Sequence, residues 1–237
     1  MTEIRTFAND TALARAAAAD WLDLVRKRSE PHLVAFSGGR IAKTFFTEIV
    51  AAAKKSGVAL GNVEFFWADE RCLPPDDAES NFCLAEENLF RPMKIAPHKV
   101  HRLKGEVAPK DAVAEANETI RRIAPEDAGG IPVLDVIFLG IGPDGHIASL
   151  MPNAHPQVIQ SREPFVHVDN SPKPPPNRIS MTYPVLAAAK QVWTLISGDG
   201  KAEAFRESLR PNGTTSFARV LQSRKETRIY SDIGAPE

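Results

Sequence analysis

A histidine and an aspartate stand two residues apart in a glycine-rich stretch past the middle of the chain. Asp144 and His146 lie among Gly140, Gly142 and Gly145, directly after an apolar run. An imidazole titrates close to neutral pH and can therefore move a proton during a reaction, while a carboxylate beside it can orient its ring. The pattern predicts acid–base chemistry on a small molecule.

The elements around this stretch predict where the histidine lies. Leu134–Leu139, apart from Asp135, is apolar on both faces, which is typical of a strand in a parallel sheet covered by helices on both sides. A short helix, Ile147–Met151, is predicted after the glycines, and Pro152 ends it. Ligands of open α/β sheets bind beyond the carboxyl ends of the strands. His146 is therefore expected at the start of a helix and in a binding crevice.

Two other interpretations of the same stretch have to be weighed. The glycines spell G-x-G-x-x-G, a dinucleotide-binding pattern, but the predicted helix is too short and Pro143 interrupts the bend. The Asp144 carboxylate would also face a pyrophosphate with like charge. Alternatively, Asp144 is a helix N-cap and His146 an ordinary first-turn residue. The stretch alone does not decide between capping and catalysis.

A candidate anion site lies between the first core strand, His32–Phe36, and a long predicted helix, Ile41–Lys55. Free backbone N–H groups and the helix dipole both favour a phosphate at such a helix start. The alternative is a tight turn that needs glycine only for its backbone angles. The candidate phosphate-binding residues of this turn are Ser37, Gly38, Gly39 and Arg40.

Charged residues follow other predicted strands as well. Val63–Ala68 ends in Asp69, Glu70 and Arg71, and charges at the end of a buried strand are costly unless they meet water, a partner or a ligand. A solvated loop is the alternative there. The predicted strand Gln191–Ser197 is followed by G-D-G-K. A separate proline-rich segment, which is expected to be stiff, carries two more cations. The candidate substrate-binding cations are Lys173, Arg178 and Lys201.

Alternating strands and helices predict an α/β domain over residues 1–237, with a mainly parallel sheet between two helical layers. The chain is long enough, and with 43% hydrophobic residues apolar enough, to form one core. The remaining predicted elements are helices Thr11–Arg28 with Asp10 as N-cap, Ser80 or Asn81 to Phe90, Lys110–Ile123, Val185–Lys190, one that Gly198–Lys201 opens and that runs to about Leu209, and Ser216–Arg224, and strands Val100–Leu103, Phe165–Val168, Ile179–Thr182 and, at an edge, Thr227–Tyr230.

The composition argues against several classes of partner. With 29 Lys+Arg against 30 Asp+Glu, no strong field attracts nucleic acid or a membrane surface. The two cysteines form no disulfide framework, and no signal peptide or membrane span is predicted. His98 and His101 lack the further ligands of a metal site. A cytoplasmic protein without metal or cofactor is expected, with a monomer as the working assumption.

Polar groups that end four strands of one parallel sheet can converge on one crevice. The crevice would then combine a phosphate cradle, one histidine, carboxylates and several cations. The sequence contains no nucleophile elbow, and neither cysteine has a neighbouring histidine. Covalent catalysis is therefore not indicated. The set suits a phosphorylated sugar that undergoes proton transfer or hydrolysis.

Four segments resemble the 6-phosphogluconolactonases, which share a superfamily with the glucosamine-6-phosphate deaminases. They occur in the family order within about residues 30–205. They are W-A-D-E-R-C-L-P-P-D-D-A-E-S-N from Trp67, G-I-G-P-D-G-H-I-A-S-L-M-P from Gly140, S-P-K-P-P-P-N-R-I-S from Ser171 and G-D-G-K-A from Gly198.

The resemblance implies a Rossmann-like fold and hydrolysis of 6-phospho-D-glucono-1,5-lactone in the oxidative pentose phosphate pathway. His146 matches the catalytic histidine, and Asp69 and Arg71 match an acid–arginine pair. Lys201 and the Ser37–Gly39 turn match phosphate-binding positions. Such chemistry predicts that His146 activates water, that Asp69 or Asp144 orients its ring, and that Arg71 stabilises the oxyanion.

The chain departs from the family pattern at one place. Where the family usually has S-G-G-S-T-P, this chain has S-G-G-R-I-A, so that two hydroxyls are missing and the Arg40 guanidinium is present. Arg40 can contact a phosphate in their place, or it can alter substrate choice. A deaminase remains an alternative, although that branch typically has Phe where Ser149 stands and Tyr where Arg71 stands. A non-catalytic sugar-phosphate sensor is the second alternative.

Overall fold

The computed structural model describes residues 2–234. A π-helical turn lies at Glu86–Phe90, and 3-10 turns lie at Pro97–Lys99 and Asp199–Lys201. The strands are β1 (Thr2–Thr6), β2 (His32–Phe36), β3 (Val63–Trp67), β4 (Asp69–Arg71), β5 (Val136–Gly140), β6 (Phe165–Val168), β7 (Arg178–Met181), β8 (Gln191–Ile196) and β9 (Thr227–Ser231). The helices are α1 (Asp10–Arg26), α2 (Arg40–Ser56), α3 (Asn81–Ala85), α4 (Arg91–Met93), α5 (Pro109–Ile123), α6 (Pro156–Ile159), α7 (Tyr183–Ala188), α8 (Ala202–Leu209) and α9 (Ser216–Ser223).

Six strands form a parallel sheet in the order β1-β9-β8-β5-β2-β3. Every residue of β2 is buried, as the apolar pattern of a strand covered on both faces requires. The predicted α/β fold with a mainly parallel sheet is confirmed. A smaller antiparallel sheet pairs β4 with β7 and β7 with β6. That 1–237 is a single domain stays a prediction.

Aromatic side chains fill the core between the central strands and the first two helices. Phe36 of β2 and Phe138 of β5 have ring centroids 5.5 Å apart, and Phe45 of α2 lies 4.6 Å from Phe138. Trp21 of α1 packs edge-on against Phe36 at 5.8 Å. All four side chains are almost fully buried, so their packing fixes the positions of the ends of β2 and β5.

Several predicted elements are wrong in detail. Thr227–Tyr230 is not at an edge, because Thr2–Thr6 pairs with it from outside and was not predicted as a strand. Val100 makes only an isolated bridge to Phe65. The predicted strand Val63–Ala68 ends at Trp67, and Asp69–Arg71 is itself a strand rather than a solvated loop. Its backbone groups pair with β7, which the sequence could not show because the partner lies more than a hundred residues away.

The N-cap of α1 is Asn9 and not Asp10, as had been predicted. The Asn9 side chain accepts a hydrogen bond from the backbone N–H of Ala12 at 2.9 Å. Asp10 is the first helical residue, where its charge still favours the helix dipole.

We expect Asn9→Ala to lower the free energy of unfolding by about 1 kcal/mol, because a free helix N–H loses its acceptor. Asp10→Asn removes only a charge near the helix start and should cost less. Urea unfolding of the two variants measures the difference. A larger loss for Asp10→Asn would contradict the assignment of the cap.

A buried carboxylate anchors the opposite end of the central strands. Asp135, directly before β5, accepts from the Leu33 backbone N–H at 2.9 Å and from the Lys190 ammonium at 2.8 Å, and it pairs with Arg28. Burial alone would raise the pKa of Asp135, but these hydrogen bonds outweigh it and hold the pKa below its ordinary value. The contact joins β5 to β2 and so helps to set where both strands end.

Candidate active site

The polar segments that follow four neighbouring strands meet in one cavity of about 410 Å³. In the sheet order β8-β5-β2-β3, each of these strands ends at the same edge and is followed by one of the segments identified in the sequence. All predicted site residues except Asp144 line the cavity. The lining comprises Ser37, Gly38, Gly39, Arg40, Ile41, Asp69, Arg71, Glu79, Asn81, Gly140, Ile141, Gly142, Pro143, His146, Ala148, Lys173, Pro174, Arg178 and Lys201.

Asp144 lies behind His146 and holds its ring. The His146 Nδ1 atom is 2.5 Å from the Asp144 Oδ1 atom, and the imidazole is only 15% exposed. An ionised carboxylate can only accept, so Nδ1 carries the hydrogen and Nε2 keeps its lone pair. The structure thus places Asp144, rather than Asp69, in contact with the ring.

The two side chains also set each other's pKa. Burial lowers the pKa of His146 below its ordinary value, and the hydrogen bond and charge of Asp144 only partly oppose this. The pKa of Asp144 stays below its usual range because its bond to His146 outweighs the effect of burial. At neutral pH the pair is therefore a neutral imidazole beside a carboxylate, which is the state a general base needs.

The bend that carries the pair is built on glycine, but no helix follows it. A Cβ atom at Gly142 would overlap the His146 ring, and Gly145 has a φ of +80°. The predicted helix Ile147–Met151 is wrong, because this segment forms a tight turn closed by a Leu150 N–H bond to the Ile147 carbonyl at 2.9 Å. Burial, and not a helix dipole, therefore keeps the imidazole neutral. Asp144 is not a helix cap either.

Asp69 is buried and engaged by two residues that the sequence analysis missed. Its Oδ2 atom accepts from the Ser149 hydroxyl at 2.7 Å, and its backbone carbonyl accepts from the Asn81 side-chain amide at 2.8 Å. The Asn81 amide also occupies the space that a Cβ atom at Gly38 would need. Asn81 therefore ties the Ser37–Arg40 turn to β4. Its position after a helix cap gave no sequence signal for this role.

The remaining two charges of β4 have separate environments. The Glu70 carboxylate accepts from the backbone N–H groups of Arg71, Asn81 and Phe82 at 2.7, 2.8 and 2.8 Å, which anchors the start of α3. Burial raises the pKa of Glu70. Arg71 faces the cavity; its Nη1 atom donates to the Glu79 carbonyl, and its buried Nε–H has no acceptor within residues 2–234.

Two cations and a helix start form one wall of the cavity. The Arg40 guanidinium lies so close to Gly198 that a Cβ atom there would clash with it. Burial and the nearby Arg40 charge lower the pKa of Lys201. Gly39 provides no side-chain cap for α2, and the buried Ser37 hydroxyl has no hydrogen-bond partner in the described part of the chain. This wall thus offers positive charge and unused donors, as an anion site requires.

The proline-rich loop brings Lys173 over the cavity. The Lys173 ammonium lies 3.9 Å from the Asp144 Oδ1 atom. Arg178 lines the cavity as well, but its guanidinium donates to the carbonyls of Lys173, Pro174 and Pro175, each at 3.1 Å. In this structure Arg178 supports the loop that presents Lys173. Substrate contact by Arg178 stays a prediction.

A larger cleft of about 920 Å³ borders Asp144 on its other side. Its lining includes acidic residues and histidines, among them Asp169, His155 and His167, and no lysine or arginine of residues 2–234 lines it. Phosphate therefore suits the smaller cavity better. Within residues 2–234 no group of three or more histidine, cysteine, aspartate or glutamate side chains is placed to hold a metal ion, and none of the helices there is long and apolar enough to cross a membrane.

The fold and the site together define a parallel α/β protein with a histidine–aspartate pair and a cationic wall at the carboxyl edge of its sheet. The chain belongs to the family of glucosamine-6-phosphate isomerases/6-phosphogluconolactonase, whose sequence profile matches residues 8–229. The family resemblance seen in the sequence is thereby confirmed.

Its relatives include proteins named 6-phosphogluconolactonase. The one from Streptomyces coelicolor is 34% identical over 207 residues, covering 83% of this chain and 78% of the relative. The one from Mycobacterium tuberculosis is 36% identical over 176 residues, covering 73% and 70%. The crystal structure of devB protein superposes with a TM-score of 0.89 at 30% identity, covering 98% of this chain and 96% of that one.

Proposed function

We propose that this protein hydrolyses 6-phospho-D-glucono-1,5-lactone to 6-phosphogluconate, a step of the oxidative pentose phosphate pathway. The identity to two 6-phosphogluconolactonases over most of the chain supports the reaction. The geometric observation that carries it is His146, held by Asp144, in the same cavity as Arg40 and Lys201. One cavity thus offers a base for water and a cationic site for phosphate.

His146 acts first as a general base and then as a general acid. Its Nε2 atom takes a proton from water as the water oxygen adds to the lactone carbonyl carbon. The bond between that carbon and the ring oxygen then breaks, and the imidazolium returns the proton to the ring oxygen, leaving a hydroxyl and a carboxylic acid that ionises. Acid–base help of this kind is worth about 10²–10⁴-fold in rate.

The groups around the cavity hold the substrate in place for this step. The phosphate binds at the start of α2, where Ser37, Gly38 and Gly39 offer donors and Arg40 and Lys201 offer charge. Lys173 covers the substrate from the proline-rich loop. Arg71 faces the carbonyl oxygen as negative charge develops there, and Asp69 fixes the Ser149 turn beside the histidine.

A turnover assay with freshly generated 6-phosphogluconolactone tests the proposal. We expect lactone loss well above the rate of spontaneous hydrolysis, which must be subtracted, and little or no ammonia from glucosamine 6-phosphate. Ammonia release with an unreactive lactone would move the assignment to the deaminase branch. Phosphate-site binding with neither reaction would favour a sensor.

We expect kcat/KM to rise with pH as His146 loses its proton, with a midpoint below pH 6.5, because burial lowers the pKa of His146. Activity should therefore be near its plateau at pH 7. Asp144→Asn removes the group that raises this pKa, so the midpoint should move to lower pH while kcat falls. A pH–rate profile of both proteins measures this. A midpoint that moves upward would contradict the pairing.

The proposal also includes a cytoplasmic monomer that uses no cofactor. The balanced charge of 29 Lys+Arg against 30 Asp+Glu indicates no strongly charged partner surface. Light scattering after gel filtration should give one chain mass, 25.9 kDa, and dialysis against a chelator should leave turnover unchanged. A multiple of that mass, or loss of turnover after chelation, would contradict this part.

A further inference from the structure

The bend that carries His146 is held by the start of α9. The carbonyl of Gly145, directly before the histidine, accepts a hydrogen bond from the backbone N–H of Phe217 at 3.1 Å. The Gly145 N–H donates to the Gly142 carbonyl at 3.0 Å, within the bend itself. A Cβ atom at Gly145 would lie only 2.5 Å from the Thr215 Cγ2 atom, so the glycine packs closely on Thr215. The start of α9 therefore contacts the catalytic bend through both its backbone and a side chain.

The Thr215 hydroxyl fixes this start of the helix. Its Oγ1 atom accepts from the Ala218 N–H at 3.0 Å, which makes Thr215 the N-cap of α9, and it lies 2.7 Å from the Ser208 hydroxyl. Because Ser208 uses its own proton on the Ala204 carbonyl at 2.6 Å, Thr215 is the donor of the bond to Ser208. Thr215 and Ser208 are 7% and 2% exposed, so water cannot readily replace these bonds.

Ser208 connects this arrangement to the cationic wall of the cavity. It lies near the end of α8, and Lys201, which lines the cavity, is the residue directly before the same helix. The cation and the histidine are thus linked through α8, one pair of buried hydroxyls and the first turn of α9. A substrate whose phosphate is bound at Lys201 would therefore meet His146 at a fixed separation.

We propose that the Thr215 hydroxyl is a positioning group for His146. The inference rests on the proposed lactone hydrolysis, in which the His146 Nε2 atom has to reach both the attacking water and the ring oxygen. Thr215 lies outside the cavity lining, and it acts by keeping the Phe217 N–H on the Gly145 carbonyl. Displacement of a reacting group by about 1 Å can cost about 10²-fold in rate, so a buried hydroxyl outside the cavity can control turnover.

Two substitutions of Thr215 separate its hydroxyl from its methyl group. Thr215→Val keeps a methyl group against Gly145 and removes the hydroxyl, so that α9 loses its cap. We expect kcat to fall about 10- to 100-fold, and KM to change by no more than about threefold because Lys201 lies at the other end of α8. Thr215→Ser restores a capping hydroxyl and should return kcat to within about threefold of the parent value.

Asn9→Ala is the matched control for lost stability, because it also removes one helix cap and Asn9 does not line the cavity. Its kcat should equal that of the parent. Ser208→Ala provides a milder variant if Thr215→Val does not fold, since alanine suits a helix and only the acceptor of the Thr215 hydroxyl is lost; we expect about a three- to tenfold lower kcat. Full activity of the Thr215→Val or Ser208→Ala variant would overturn the inference, as would a Thr215→Ser variant as slow as Thr215→Val.

The Nδ1 proton of His146 reports the position of the ring without any turnover. Its hydrogen bond to Asp144 should give a downfield proton resonance, which the His146→Ala variant identifies by its absence. We expect this resonance to move upfield or broaden in Thr215→Val and Ser208→Ala, because a looser bend lengthens the bond, and to stay in place in Asn9→Ala. An unchanged resonance in Thr215→Val would overturn the inference. A shifted resonance, together with an absence of lactone turnover in the unmodified protein, would instead overturn only the proposed function.

Discussion

His146→Ala is expected to lower kcat by about 10²–10⁴-fold while the protein stays folded. The ring performs both proton transfers of the proposed reaction, and its one side-chain hydrogen bond to residues 2–234 is to Asp144. Losing that bond should cost little stability, since Asp144 is partly exposed and can be hydrated. KM should change much less than kcat, because other residues of the cavity form the proposed phosphate site.

His155→Ala provides the matched control for this prediction. His155 lines the larger cleft on the far side of Asp144 and otherwise caps the short helix α6. Its removal should leave kcat within about twofold, whereas a large loss would indicate that chemistry takes place in the larger cleft. Steady-state rates and a thermal melt of both variants are needed. A folded and fully active His146→Ala variant would remove the histidine from the mechanism.

The residues at the carboxyl edge of the sheet can be predicted from the sequence, because the patterns that identify them are local in the chain. Apolar runs such as Leu134–Leu139 mark buried strands, and the polar residues after them are carried to the same edge whenever the sheet is parallel. The residues that hold the site together depend on contacts distant in the chain. Ser149 bonds Asp69 across 80 positions and Asn81 packs on Gly38, and neither pattern is periodic.

The short helix predicted after His146 failed for a physical reason. Five residues between a glycine bend and a proline have too few hydrogen bonds to offset helix nucleation, so tertiary contacts decide their conformation. Ser149 and Leu150 make those contacts and produce a turn. With no helix after His146, burial and not a helix dipole lowers the pKa of its imidazole.

Arg40 is expected to bind the phosphate of the substrate. The Arg40→Ala variant should therefore have a KM that is about 10- to 100-fold higher. A charge-assisted hydrogen bond contributes about 1.5–3 kcal/mol, and 1.4 kcal/mol corresponds to a tenfold change in affinity. Arg40 starts α2, where a cation opposes the helix dipole unless an anion is bound, and it lies next to Lys201. A bound phosphate would relieve both repulsions.

The substrate itself provides the decisive comparison. Unphosphorylated glucono-δ-lactone has no group for Arg40 to bind, so its kcat/KM should be nearly unchanged by Arg40→Ala. Lys43→Ala removes a charge from the exposed side of the same helix, outside the cavity lining, and controls for a general field effect. Because Arg40 is exposed, its effect should also shrink as salt screens the charge. An equal loss of kcat/KM for both lactones would mean that Arg40 does not bind the phosphate. Its contact with Gly198 would then stabilise the fold of the turn.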